Sequence, residues 1–106
     1  MPKFLVQASY AAEGAKGLLA DGGSKRIQVV GDMVGQLGGA IEAAYFAFGG
    51  DDICIIVDMP DNASMTAIAL TVAAAGIANV RTTVLITPEE VDAASGIAVT
   101  YSPPGA

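Results

Sequence analysis

The stretch Tyr45–Asn62, YFAFGGDDICIIVDMPDN, decides the fold. Aromatic and β-branched runs flank Gly49-Gly50-Asp51-Asp52, so it reads as a β-hairpin, one strand spanning Ile41 to Phe48 and the next Ile53 to Met59. Pro60 closes the second strand. Asp61 then caps a helix that runs to Ala75, with Met65, Ile68, Ala69 and Val72 on one face and Gly76 at its end. The same stretch carries Asp51, Asp52, Asp58 and Asp61, which raises the question of a carboxylate site. Strand geometry separates them: Asp52 and Asp58 share a face but stand roughly 20 Å apart at ~3.3 Å per residue, too far to share a metal or a proton. Asp51 and Asp52 read as turn residues that hydrogen-bond locally, Asp61 as a cap, and Asp58 as a strand-end partner for Arg81 or Lys3.

Upstream, Lys3 to Tyr10 alternates Phe4, Val6, Ala8 and Tyr10 against Lys3, Gln7 and Ser9, a period of two that predicts the first strand. Ala11, Ala15, Leu18 and Leu19 follow at helical spacing until Asp21-Gly22-Gly23 interrupts them, because paired glycines are costly inside a helix. Ser24 is the expected cap of the restart. Ile27, Val30, Val34 and Leu37 then form an apolar face against Lys25, Gln28, Asp32 and Gln36, and Gly38-Gly39 ends the helix. Downstream, Val80 to Ile86 alternates as a fourth strand. Thr87-Pro88-Glu89-Glu90 is a capping box opening a short helix to Ala94, and the tail GIAVTYSPPGA is expected to be loose or to lie on a partner.

The order strand, broken helix, strand, strand, helix, strand predicts an α+β chain, a ferredoxin-like βαββαβ unit whose helices cover one face of a four-stranded antiparallel sheet. One domain over residues 1–96 and a tail over 97–106 is the expected organisation. Phe4, Val6 and Ala8, Ile53, Ile55 and Val57, and Val80, Val84 and Ile86 belong on the helix side. The other face receives Leu5, Gln7, Ser9, Cys54, Ile56, Asp58, Arg81, Thr83 and Leu85. In the second strand Ala44, Phe46 and Phe48 compete with Ile41, Ala43 and Tyr45, so its phase is open. A face this apolar is not left wet. It is either an interface with a second copy's sheet or one wall of a ligand cavity between subunits.

Composition narrows the classes. The chain has 106 residues, enough for one core, and is 53% hydrophobic but only 15% charged, against a usual charged share of roughly 25%. Burial in a homo-oligomer accounts for that imbalance. A net charge of -6, with only Lys25 and Arg26 adjacent among the cations, argues against nucleic acid and an anionic membrane surface. Phe4 to Val6 is too short for a signal h-region of ~7–15 residues, and a single cysteine fits a reducing cytoplasm, so a cytoplasmic protein is expected. Asn62 to Val80 is uncharged over nearly the ~20 residues of a membrane span. Its alanines, Ser64, Thr66, Thr71, Gly76 and Asn79 favour a helix in water instead.

Chemistry is sparse. Without histidine, Ser-His-Asp and Cys-His catalysis and the commonest zinc sites are excluded, and neither metal nor cofactor is expected. Cys54 reads as a small buried hydrophobe. No GxGxxG follows a strand and no GK[ST] occurs, so the glycine pairs punctuate. Gly31 and Gly35 mark close helix packing at most. Arg26 stands out: it falls inside the arc of Ile27, Val30, Met33, Val34 and Leu37, where a cation must snorkel out or meet an anion. It is either one half of a structural pair or the best candidate for holding a small anion.

YFAFGGDDICIIVDMPDN, together with MPKFLVQASYAAEGAKGLL, GGSKR and TTVLITPEEVDAA, resembles the GYD domain family over about Met1 to Ala94. In that family a G-x-Y-D turn leads into a strand and an acidic Pro-Asp helix start. By resemblance Gly49 and Asp52 occupy its Gly and Asp, Arg26 matches an arginine of its first long helix, and Asp51 replaces its tyrosine. The resemblance implies a ferredoxin-like fold paired through sheet faces as a dimeric α/β barrel, and implies no reaction. The expectation is a cytoplasmic homo-oligomer binding a small molecule or partner at the sheet face, with Gln7, Ser9, Arg26, Tyr45, Gly49, Asp52, Asp58 and Arg81 as candidate residues. Two alternatives stand beside it: a cofactor-free enzyme of the monooxygenase or isomerase kind using Arg26, Asp52, Asp58 or Tyr45, and a purely structural assembly protein.

Overall fold

The computed structural model describes residues 1–105; Ala106, the last residue of the expected tail, lies outside them. The elements are β1 (Lys3–Tyr10), α1 (Ala12–Asp21), α2 (Gly23–Gln36), β2 (Ala40–Phe46), β3 (Ile53–Asp58), α3 (Asn62–Ala75), β4 (Ala78–Leu85) and α4 (Pro88–Ser95). Among the described residues the fold is α+β: four helices and one open four-stranded antiparallel sheet, in the order β2-β3-β1-β4. Both crossovers return over the same face. Among the described residues no helix is long and apolar enough to cross a membrane, and Asn62–Val80 divides into α3, a turn and the start of β4.

Register places Phe4 opposite Val57 and Val84, and Ala8 opposite Ile53 and Val80, so the apolar alternations of three strands share the helix side. The core consists of Phe4, Ala8, Val34, Ile53, Ile55, Val57, Met59, Met65, Ile68 and Ala78. Met59 is fully enclosed. Gly39 is the reason a loop can cross it, since a Cβ there would meet the Met59 sulfur, the Asp58 carbonyl oxygen and Val34 Cγ1.

Several boundaries depart from expectation for identifiable reasons. The helix does break at Gly22, whose φ of 81° only glycine adopts readily, but α2 starts at Gly23 without a side-chain cap, so Ser24 lies inside it. Strand β4 begins two residues early because Ala78 and Asn79 pair with Tyr10 and Ser9. Strand β2 resolves its phase with a bulge between Ile41 and Ala43, which puts Ile41, Ala44 and Phe46 on the helix side and Ala43 and Tyr45 on the other. The Asp61 cap, the left-handed Gly76 and the Thr87–Glu90 capping box occur as expected.

The helices distribute unevenly over the sheet. α2 lies over the edge strand β2 and α3 over the opposite edge strand β4, so the two stand apart above the central strands. Among the described residues α4 buries no side chain, and the segment after it is exposed. Val91, Ile97, Val99 and Tyr101 are 49–81% exposed. The radius of gyration is 17.1 Å with a long dimension of 58 Å, against about 13 Å expected for a compact chain near this length.

Candidate functional site

The face of the sheet turned away from the helices carries Leu5, Gln7, Ser9, Ala43, Tyr45, Cys54, Ile56, Arg81, Thr83 and Leu85 in register. Among the described residues nothing covers it. Leu5, Cys54 and Ile56 are therefore only half-buried by their strand neighbours, and Tyr45 is 72% exposed. Cys54 departs from the buried hydrophobe expected, because its alternation puts it on the open side of an otherwise enclosed strand.

Charge closes both ends of this face. At one end Lys3 Nζ donates to Asp58 Oδ1 at 2.8 Å and to Glu42 Oε1 at 2.9 Å, and these bonds, that to Asp58 foremost, raise the lysine pKa above its usual value. Asp58 thus takes the second of its expected partners, Lys3, and not Arg81. At the other end Arg81 pairs with Asp51, and Ser9 Oγ donates to the Gly50 carbonyl at 3.0 Å and to Asp51 Oδ1 at 3.2 Å. Asp52 Oδ2 accepts the Tyr10 backbone N–H at 2.8 Å.

The turn aspartates therefore bond across to β1 and β4, not locally as the hairpin reading expects. The 47–52 loop is long enough to fold back over the end of the sheet, where Asp52 N–H meets the Ala8 carbonyl at 2.8 Å. Asp51, at the position of the tyrosine, ties this loop to two strands, an ion pair that a phenol could not make. Gly49 is exposed, without positive φ and with open space where a Cβ would stand, so nothing local demands glycine there.

Arg26 does not join these residues. It lies on the helix side, at the crevice between α2 and α3, where Val6, Ala8, Tyr10, Val30, Ile55, Val72 and Val80 are among its neighbours along the cavity wall. The expected grouping of Arg26 with Gln7, Ser9 and Arg81 is thus split by the sheet itself. Sequence reasoning missed the crevice. Its signal was the alanine content of α3: Ala69 faces the gap where a larger residue would have filled it.

Among the described residues no three acidic or cysteine side chains gather as a metal site. The chemistry of the open face is instead a half-apolar floor bounded by two satisfied ionic clusters. The sequence model of the GYD domain family matches residues 4–95. No curated protein and no solved structure matches the chain.

Proposed function

The chain belongs to the GYD domain family, and from that premise we propose a self-associating module of ferredoxin-like form, the open sheet face meeting the same face of a second copy. The observation that carries the reading is that this face, with Leu5, Ile56, Cys54 and Tyr45, has no cover among the described residues. The βαββαβ order and strand order β2-β3-β1-β4 support the ferredoxin-like form, and sheet-to-sheet pairing of such units makes a dimeric α/β barrel. A second copy fits better than a small molecule because Lys3, Ser9, Asp51, Asp58 and Arg81 already satisfy one another. Lys3 and Arg81 also nearly balance Glu42, Asp51 and Asp58, so two acidic chains meet where their charge is least.

Area supports adding the C-terminal arm to this contact. Four strands ~4.8 Å apart and some seven residues long at ~3.3 Å present roughly 450 Å² in projection, short of the ~800 Å² per partner of a stable interface. α4 and the residues after it, with Val91, Ile97, Val99 and Tyr101 exposed, supply the remainder by reaching onto the partner. Ile56→Glu tests the reading by sedimentation equilibrium. The variant should have the mass of a single chain where the parent is a multiple, with unchanged circular dichroism. Parent and variant of equal mass would overturn it.

A further inference from the structure

We infer that the crevice between α2 and α3 is a binding site for a small amphipathic monoanion, an alkyl carboxylate whose chain enters the crevice and whose head meets Arg26. This site lies on the opposite side of the sheet from the assembly face and stands or falls separately from it. Its origin is the placement of the two helices mainly over opposite edge strands, which leaves a gap between Val30 of α2 and Val72 of α3 above Val6, Ala8 and Ile55 of the central strands. The walls are Val30 of α2 and Val72 of α3, and Ala69 is too small to close the gap. The crevice, open on one side, has a volume of about 70 Å³. At ~15 Å³ per water-sized group, that holds about five such groups, the size of a short alkyl chain.

The head-group chemistry follows from a census of charge. With 11 acidic residues and 5 cations, every cation in this chain has an excess of acids to choose from. Lys3 pairs with Glu42 and Asp58, Lys16 with Glu13, Lys25 with Asp21, and Arg81 with Asp51. Arg26 alone has no ion pair or side-chain hydrogen bond among the described residues, although it is half-buried against an apolar wall. A guanidinium stays charged at any ordinary pH and offers a planar fork of donors matched to a carboxylate. Tyr10 lines the same cavity, whose remaining walls are apolar. An apolar slot with an unpaired fork of donors selects a carboxylate over an alcohol or an amine of the same length.

The test is a titration of isotope-labelled protein with hexanoate, hexanol and hexylamine, followed by the methyl resonances of Val30, Val72 and Val80. Hexanoate should shift them saturably, hexanol at least 5-fold more weakly, and hexylamine not at all. Arg26→Gln should weaken hexanoate by 5-fold or more and leave hexanol unchanged. Ala69→Leu, which fills the slot and keeps Arg26, should abolish both responses, and it decides the matter should Arg26→Gln not fold. Equal responses to hexanoate and hexanol, or an unaltered hexanoate response in either variant, would overturn the site. So would valine methyl shifts that follow protein concentration instead of hexanoate, since the crevice would then hold a segment of a second copy.

Discussion

Gly14 and Gly17 lie on the same helix, α1, and alanine at the two should act with opposite signs. Either substitution removes backbone entropy from the unfolded chain and gains helix propensity of about 0.5–1 kcal/mol. At Gly17 nothing lies within 4 Å of the new Cβ, so Gly17→Ala should stabilise by that amount. At Gly14 the Cβ would run into the Ile77 carbonyl oxygen and stand 2.8 Å from Tyr10 Cδ1. That carbonyl is fixed, because it accepts the Ala11 N–H at 2.9 Å. Relief requires α1 to withdraw, which costs about 1–3 kcal/mol in overpacking and about 1 kcal/mol for the hydrogen bond. Set against the propensity gain, Gly14→Ala should destabilise by about 1–3 kcal/mol, leaving the two variants about 2–4 kcal/mol apart. Urea denaturation at one fixed protein concentration reads the difference, the concentration being held because self-association would contribute to stability. Variants within 0.5 kcal/mol of each other would refute the close approach of α1 to the α3–β4 turn.

Met59→Ala, at a side chain with no exposure, should lower the free energy of unfolding by about 2–5 kcal/mol, measured by the same denaturation. Thr87→Ala removes one half of a capping box worth ~1 kcal/mol, but among the described residues α4 buries no side chain. Amide exchange within α4 should therefore accelerate in the monomeric Ile56→Glu background while the midpoint of the domain stays put. Asp61 has its pKa lowered, first by the Ser64 backbone N–H and then by the Ser64 side chain. A depressed folded-state pKa means stability present above the usual carboxylate value and lost as pH falls through the lowered one. Melting temperature should thus decline more steeply below pH ~4 in the parent than in Asp61→Asn, and parallel declines would contradict the assignment.

Local signals were legible wherever one residue dictates one geometry. Asp61, Gly76, the Thr87–Glu90 box and the period-two alternations of β1 and β3 named their own elements, because capping and pleating act over a few residues. Legibility stopped where placement depended on distant partners. The β2 phase turned on a bulge set by pairing with β3, and Asp51 chose Arg81 because a loop folds back over the sheet end. Arg26 lies on the apolar side of α2, where its helical spacing puts it. Its neighbours were not legible, since helical spacing specifies which side a residue faces and not where the next helix lies.

Cys54 gives the most direct measurement of the assembly proposal, because it is the chain's single cysteine and sits half-exposed on the open sheet face. Its rate of alkylation by a neutral maleimide should fall as protein concentration rises through the association range, and Ile56→Glu should restore the fast rate at every concentration. An alkylation rate independent of protein concentration, with the parent chain already a multimer by mass, would contradict pairing through this face.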